Sequence, residues 1–161
     1  MASMAEKYSG AEGGFAAALQ AFSEQTMAAA ETIFANTVLE MSTRIVLKSP
    51  VGDPSRWQSP PPAGDGYVGG RFRANWQFQN GAPAAGVIDA VDPDGSRSIS
   101  AARAGSLTLK LGDTAYLVNN LPYSIPLEYG HSSQAPAGMV RTTLDEFQSV
   151  VRQIASQSRA D

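Results

Sequence analysis

The chain contains no cysteine and a single histidine among its 161 residues. The first absence excludes disulfides, thiolate nucleophiles and cysteine-ligated metals together. The second leaves any metal site to carboxylates, and Asp53, Asp65, Asp89, Asp92 and Asp94 lack the spacing of a calcium loop. No metal and no cofactor is therefore expected. Long apolar runs are missing too: none approaches the roughly 20 residues of a membrane span. The opening residues are small and polar, with no apolar segment behind a basic start, unlike a secretory signal. A soluble protein made in a cytoplasm, without a membrane partner, is the expectation. Charge is also scarce, at 17% of residues with a formal net charge of -3 and a pI near 5.1. Such a chain has no broad basic face to neutralise a phosphate backbone. That argues against gripping DNA, and it is compatible with a conduit past which DNA slides.

What is present suits one domain, because chains of roughly 100 to 200 residues usually bury a single core, and hydrophobic residues make up 43% of this one. Residues 15–48 contain neither glycine nor proline. There Phe15, Leu19, Phe22, Ile33, Phe34, Val38, Met41 and Ile45 recur at helical spacing, which predicts a long first helix ended by Ser49-Pro50. At about 1.5 Å per residue it would span about 50 Å, more than the core needs. Either it breaks, with residues 23–26 as the expected place, or one end projects onto a neighbour.

Residues 50–70 are rich in proline and glycine and predict a long loop, anchored by Trp57 and Tyr67. It is either a contact arm between subunits or a loop folded back on its own domain. Alternation in Trp76-Gln77-Phe78-Gln79 predicts a strand turned by Asn80-Gly81. Further strands are expected at residues 86–91 and 113–119, and a short helix at 96–104 capped by Ser96 or Ser98. Residues 121–129 predict a turn and a short helical piece, and 130–138 an irregular loop. Thr143 with Glu146 reads as a capping box, followed by a C-terminal helix with Leu144, Phe147, Val150 or Val151 and Ile154 on its apolar face. The fold class expected is α+β: an antiparallel sheet packed by a long N-terminal helix and a C-terminal helix. The organisation expected is a flexible leader over 1–14, one domain over 15–156 and a flexible tail over 157–161.

Catalytic constellations are hard to assemble. A nucleophilic triad would have to use His131, with Ser124, Ser132 or Ser133 as nucleophile and Glu128 or Asp113 as orienter, and no G-x-S-x-G elbow supports one. The glycines of residues 64–70 are not followed by the Gly-Lys-Ser/Thr of a phosphate loop. The proline run Ser59-Pro60-Pro61-Pro62 reads as a rigid elbow in preference to a docking ligand. Arg71 and Arg73 flank Phe72 near Trp76. They read either as interface anchors, for which arginine and aromatic residues are favoured, or as a solvated pair of charges.

Several segments taken together carry a resemblance. These are Ser49-Pro50-Val51, Gly70-Arg71-Phe72-Arg73-Ala74-Asn75-Trp76, Asn119-Asn120-Leu121-Pro122-Tyr123, Leu127-Glu128-Tyr129-Gly130-His131-Ser132 and Gln134-Ala135-Pro136-Ala137-Gly138-Met139-Val140. The chain resembles the neck or tail-completion proteins of long-tailed double-stranded DNA bacteriophages, the group similar to the lambda minor tail protein Z, over residues 41–147. It departs from them by inserting the tryptophan- and proline-rich arm between Ser-Pro-Val and the Gly-Arg block.

The resemblance implies a structural virion protein without catalysis, assembled in the host cytoplasm. It would act as a ring subunit, hexameric or dodecameric, at the head-tail junction. The partners implied are other copies of itself, head connector, adaptor or stopper proteins, and the tail terminator or tail tube protein. DNA would pass through the lumen without sequence-specific binding. A tail terminator ring is the alternative role, and a small virion hydrolase using His131 the alternative of another class. The interface residues expected are Trp57, Tyr67, Arg71, Arg73, Trp76, Tyr123, Glu128, Tyr129 and His131.

Overall fold

A computed structural model describes the backbone of residues 4–56 and 64–158, and the side chains of residues 14–56 and 64–158. Helix α1 (Met4–Lys48) leads into a coil with one 3-10 turn (Pro54–Arg56), then α2 (Arg71–Ala74), β1 (Trp76–Asn80), α3 (Ser96–Ser106), β2 (Ala115–Asn119), α4 (Ser124–Glu128), α5 (Val140–Leu144) and α6 (Phe147–Gln157). The architecture is α+β, with a two-stranded antiparallel sheet in which Trp76 faces Asn119 and Asn80 faces Ala115. The C-terminal half of α1 packs on α3, α5 and α6, and α3 covers β1. Val46, Phe72, Trp76, Leu121, Ala135 and Met139 form the core, with Ile45, Ile99, Leu117, Leu127 and Val140 against it.

Helix α1 begins at Met4, ahead of the expected start at residue 15, and runs through Gly10, Gly13 and Gly14, each of which costs about 1 kcal/mol relative to alanine in a helix. It does not break at residues 23–26. The polar groups there turn back onto the helix: Thr26 Oγ1 donates to Phe22 O at 2.7 Å and Gln20 Nε2 to Glu24 Oε1 at 2.9 Å, so they do not compete for non-helical partners. Among the described side chains of α1, those from about residue 30 onward meet the body. Residues 14–29 are exposed throughout, with Phe15 at 71%, Leu19 at 56%, Phe22 at 67% and Met27 at 55% of their accessible surface.

The strand expected at residues 86–91 does not form. Its backbone is held by side chains in place of a ladder. Buried Asn75 accepts from Ile88 N at 2.7 Å and donates to Ile88 O at 2.9 Å, while Gln77 and Asn120 both donate to Gly86 O. Asn75 thus supplies the donor and acceptor a neighbouring strand would offer. At α3 the capping expected of Ser96 or Ser98 is done by carboxylates: Asp92 Oδ2 accepts from Ser98 N and Asp94 Oδ1 from Ser96 N, while Ser98 Oγ donates to Arg73 O.

The expected capping box is absent as well. Thr143 is fully buried inside α5 and donates to Met139 O. Glu146 reaches across to α1 and pairs with Arg44 and Lys48, both at 2.7 Å. The chain bends between α5 and α6, so Val150 and Ile154 are buried while Leu144 and Phe147 stay exposed.

Candidate functional site

Two arginines, two tyrosines and the histidine meet at an open cleft of about 830 Å³, walled by Val51, Asp53, Arg56, Tyr67, Arg71, Phe72, Tyr123, Leu127, His131 and Gln134. The ends of the proline-rich segment build one side. Gln134 donates to Val51 O at 2.8 Å and accepts from Val51 N at 3.2 Å, imitating a strand neighbour. Tyr67 lies on Gly52 so closely that a Cβ there would meet its phenol oxygen. Gly70, at φ 108° and seated against the Asp92-Pro93 backbone, turns the chain into α2 and so brings Arg71 to the cleft. Only glycine adopts that conformation without strain.

Tyr67, Arg71, Tyr123 and His131, four of the residues expected at an interface, line this cleft together. Among the described residues Arg71 pairs with the exposed Asp89 carboxylate at 3.6 Å, burial pushes the Tyr123 phenol above its ordinary pKa, and Arg56 is drawn to Asp53 at 3.3 Å. His131 Nδ1 is 3.0 Å from Pro126 O, an acceptor only, so the nitrogen there carries the proton and donates. Tyr129 sits outside the cleft, exposed, with the Arg141 guanidinium 4.8 Å above its ring.

Three other expected interface residues have structural positions. Trp76 is 7% exposed, and its indole N–H donates to Ser49 Oγ at 2.7 Å in the core. Arg73 closes the end of α1: its guanidinium donates to Leu47 O, Ser49 O and Pro93 O, occupying carbonyls that a helix terminus leaves open. Glu128, with its side chain 15% exposed, accepts from the amides of Met139, Val140 and Arg141 at 2.9 to 3.0 Å, which caps α5. Burial pushes the Glu128 carboxyl up, but those three amides and the Arg141 guanidinium outweigh it and hold it below the ordinary carboxylate range. Trp57 lies outside the described residues.

The same wiring bears on chemistry. Glu128 is committed to α5, and among the described residues no hydrogen bond joins His131 to Ser124, Ser132 or Ser133. No buried side-chain nitrogen or oxygen among the described residues lacks a partner, and no cluster of three potential metal ligands occurs among them. No helix among them is long and apolar enough to cross a membrane. What the cleft offers is hydrogen bonding and aromatic contact on an open surface. The chain matches no protein-family model, no curated protein and no solved structure.

Proposed function

We propose that this protein is a structural ring subunit at the head-tail junction of a long-tailed bacteriophage, a neck or tail-completion component that joins the tail to the head connector around the DNA channel. One observation carries the reading beyond the resemblance: α1 continues past the body as an exposed helix, with Phe15, Leu19, Phe22 and Met27 uncovered. A domain working alone does not benefit from leaving such a surface in water, and contiguous exposed apolar surface marks interaction sites. A ring protomer meets two neighbours through different faces, and a projecting helix and an open cleft supply two such faces. The acidic balance of the chain suits a lumen through which DNA must slide.

The test is the mass of the purified protein by light scattering across concentration, followed by negative-stain imaging. A discrete ring is expected. A monomer at every concentration, unchanged by added head connector or tail tube protein, rules the reading out. Cryo-EM of the intact virion neck then distinguishes a junction ring from a terminator, because a terminator must touch the last ring of the tube.

A further inference from the structure

Asn80-Gly81 is the one Asn-Gly step in the chain; the other asparagines precede Thr37, Trp76, Asn120 and Leu121. The step brings two reactive groups within one residue of each other. A glycine nitrogen, with no side chain beside it, can attack the carbonyl carbon of the asparagine side chain and close a five-membered ring. Both residues are exposed, so water and base reach them and burial gives no protection.

What restrains the reaction is geometry. Asn80 ends β1 opposite Ala115, and extended strand backbone, with ψ about +135°, turns the following nitrogen away from the side chain it would attack. Gly81 N donates to Thr114 O at 2.8 Å, which aims the nucleophile at β2. On the other side the Asn80 amide donates to Gly105 O at 3.1 Å and to Thr108 Oγ1 at 2.9 Å. Gly105 O only accepts, so it fixes which end of the amide is nitrogen. Ring closure requires all three hydrogen bonds to be released.

We propose that Asn80-Gly81 is a self-modification site that the fold holds closed and that opening of the β1 end exposes. Gly81 N gives its proton to solvent base and bonds to Asn80 Cγ; the Cγ–Nδ2 bond breaks, and Nδ2 leaves as ammonia. Water then opens the succinimide at either carbonyl, leaving an aspartyl link or an isoaspartyl one routed through the side chain. The inference is independent of the ring reading.

The product does not fit the folded site. Gly105 lies in the last turn of α3, where open carbonyls carry the negative end of the helix dipole, and Thr108 Oγ1 already donates to Gly105 O at 2.8 Å. The amide gives that helix end a donor; a carboxylate in its place brings charge of the wrong sign. The isoaspartyl link also adds a carbon to the main chain between β1 and its turn, which pulls Gly81 N out of register with Thr114 O. Refolding does not reverse either change, so the modification records time spent open.

Peptide mass spectrometry of the full chain, held at one mildly alkaline pH in buffer or in guanidinium chloride, tests this. The peptide containing Asn80 is expected to gain one mass unit at least about tenfold more slowly in buffer, the factor set by about 1.4 kcal/mol of opening free energy. Asp65-Gly66 and Asp94-Gly95 can close the same ring without changing mass, so they do not contribute. Thr108→Val removes one tether and should speed the reaction several-fold in buffer while leaving the denaturant rate unchanged; Thr108→Ser, which keeps the oxygen, should not. Equal rates in buffer and denaturant, or a Thr108→Val rate matching Thr108→Ser, overturns protection by the fold. No mass gain at Asn80 in denaturant removes the site itself. Asn80→Asp should lower the melting temperature, and an unchanged one overturns the misfit of the product.

Discussion

At the scale of single residues the body is held by a few side chains that each serve several backbone groups. Ser49, 1% exposed, accepts from Trp76 Nε1 and donates to Ile45 O. Ser49→Ala leaves the buried indole N–H without a partner, and the expected loss is about 1–3 kcal/mol of unfolding free energy in urea titration. Glu128 makes a pH-dependent contribution. Its folded carboxyl is held below the ordinary range, so the stability it contributes is present above the unfolded pKa, near 4.3 for glutamate, and is lost as pH falls through the depressed folded value. Melting temperatures from pH 7 down to pH 2 should fall through that window. In Glu128→Gln they should start lower, by about 2 kcal/mol of stability from the lost charged acceptor, and fall less steeply in acid.

At the scale of elements, Asn75 is expected to act on a whole segment. Asn75→Ala removes three hydrogen bonds that tie residues 71 and 88, so the amide of Ile88 should exchange with deuterium many-fold faster while β1 stays protected. The same residue explains a limit of reading the sequence. The long helix, the strands around Trp76 and Leu117, the α3 region and the short piece at 124–128 were legible because local periodicity and turn residues dictate them. The strand expected at 86–91 was not, because Val87, Ile88 and Val91 have strand propensity while the backbone of Gly86 and Ile88 is held by side chains from elsewhere. The Thr143 and Glu146 spacing misled for a similar reason: Arg44 and Lys48, distant in sequence, claim the glutamate. In the candidate site, Tyr67, Arg71, Tyr123 and His131 line one cleft, a grouping that their separation along the chain does not reveal. Trp76 and Arg73 are residue types favoured as interface anchors, and only the fold reveals that they, with Glu128, bind the core, the end of α1 and the start of α5.

At the scale of the molecule, core and arm should separate experimentally. Trp76→Ala is expected to cost about 3–5 kcal/mol, as large core aromatic truncations do, and to lower melting temperature and assembly together. Light scattering alongside calorimetry on this variant and on a triple variant of the exposed residues, Phe15→Ser, Leu19→Ser and Phe22→Ser, checks the separation, since only the first should melt early. Arg73 adds a mechanical consequence. Its three carbonyl contacts fasten the end of α1 beside α2, and α3, α5 and α6 hold the rest of its second half, so only the exposed part is a lever. From Ala30 back to Phe15 the lever is about 22 Å long, so a tilt of about 5° where it leaves the body moves Phe15 by about 2 Å. A small repacking beneath the second half of α1 would thus be read out as sideways travel at the tip, which in the proposed ring would let one protomer shape fit slightly different bores.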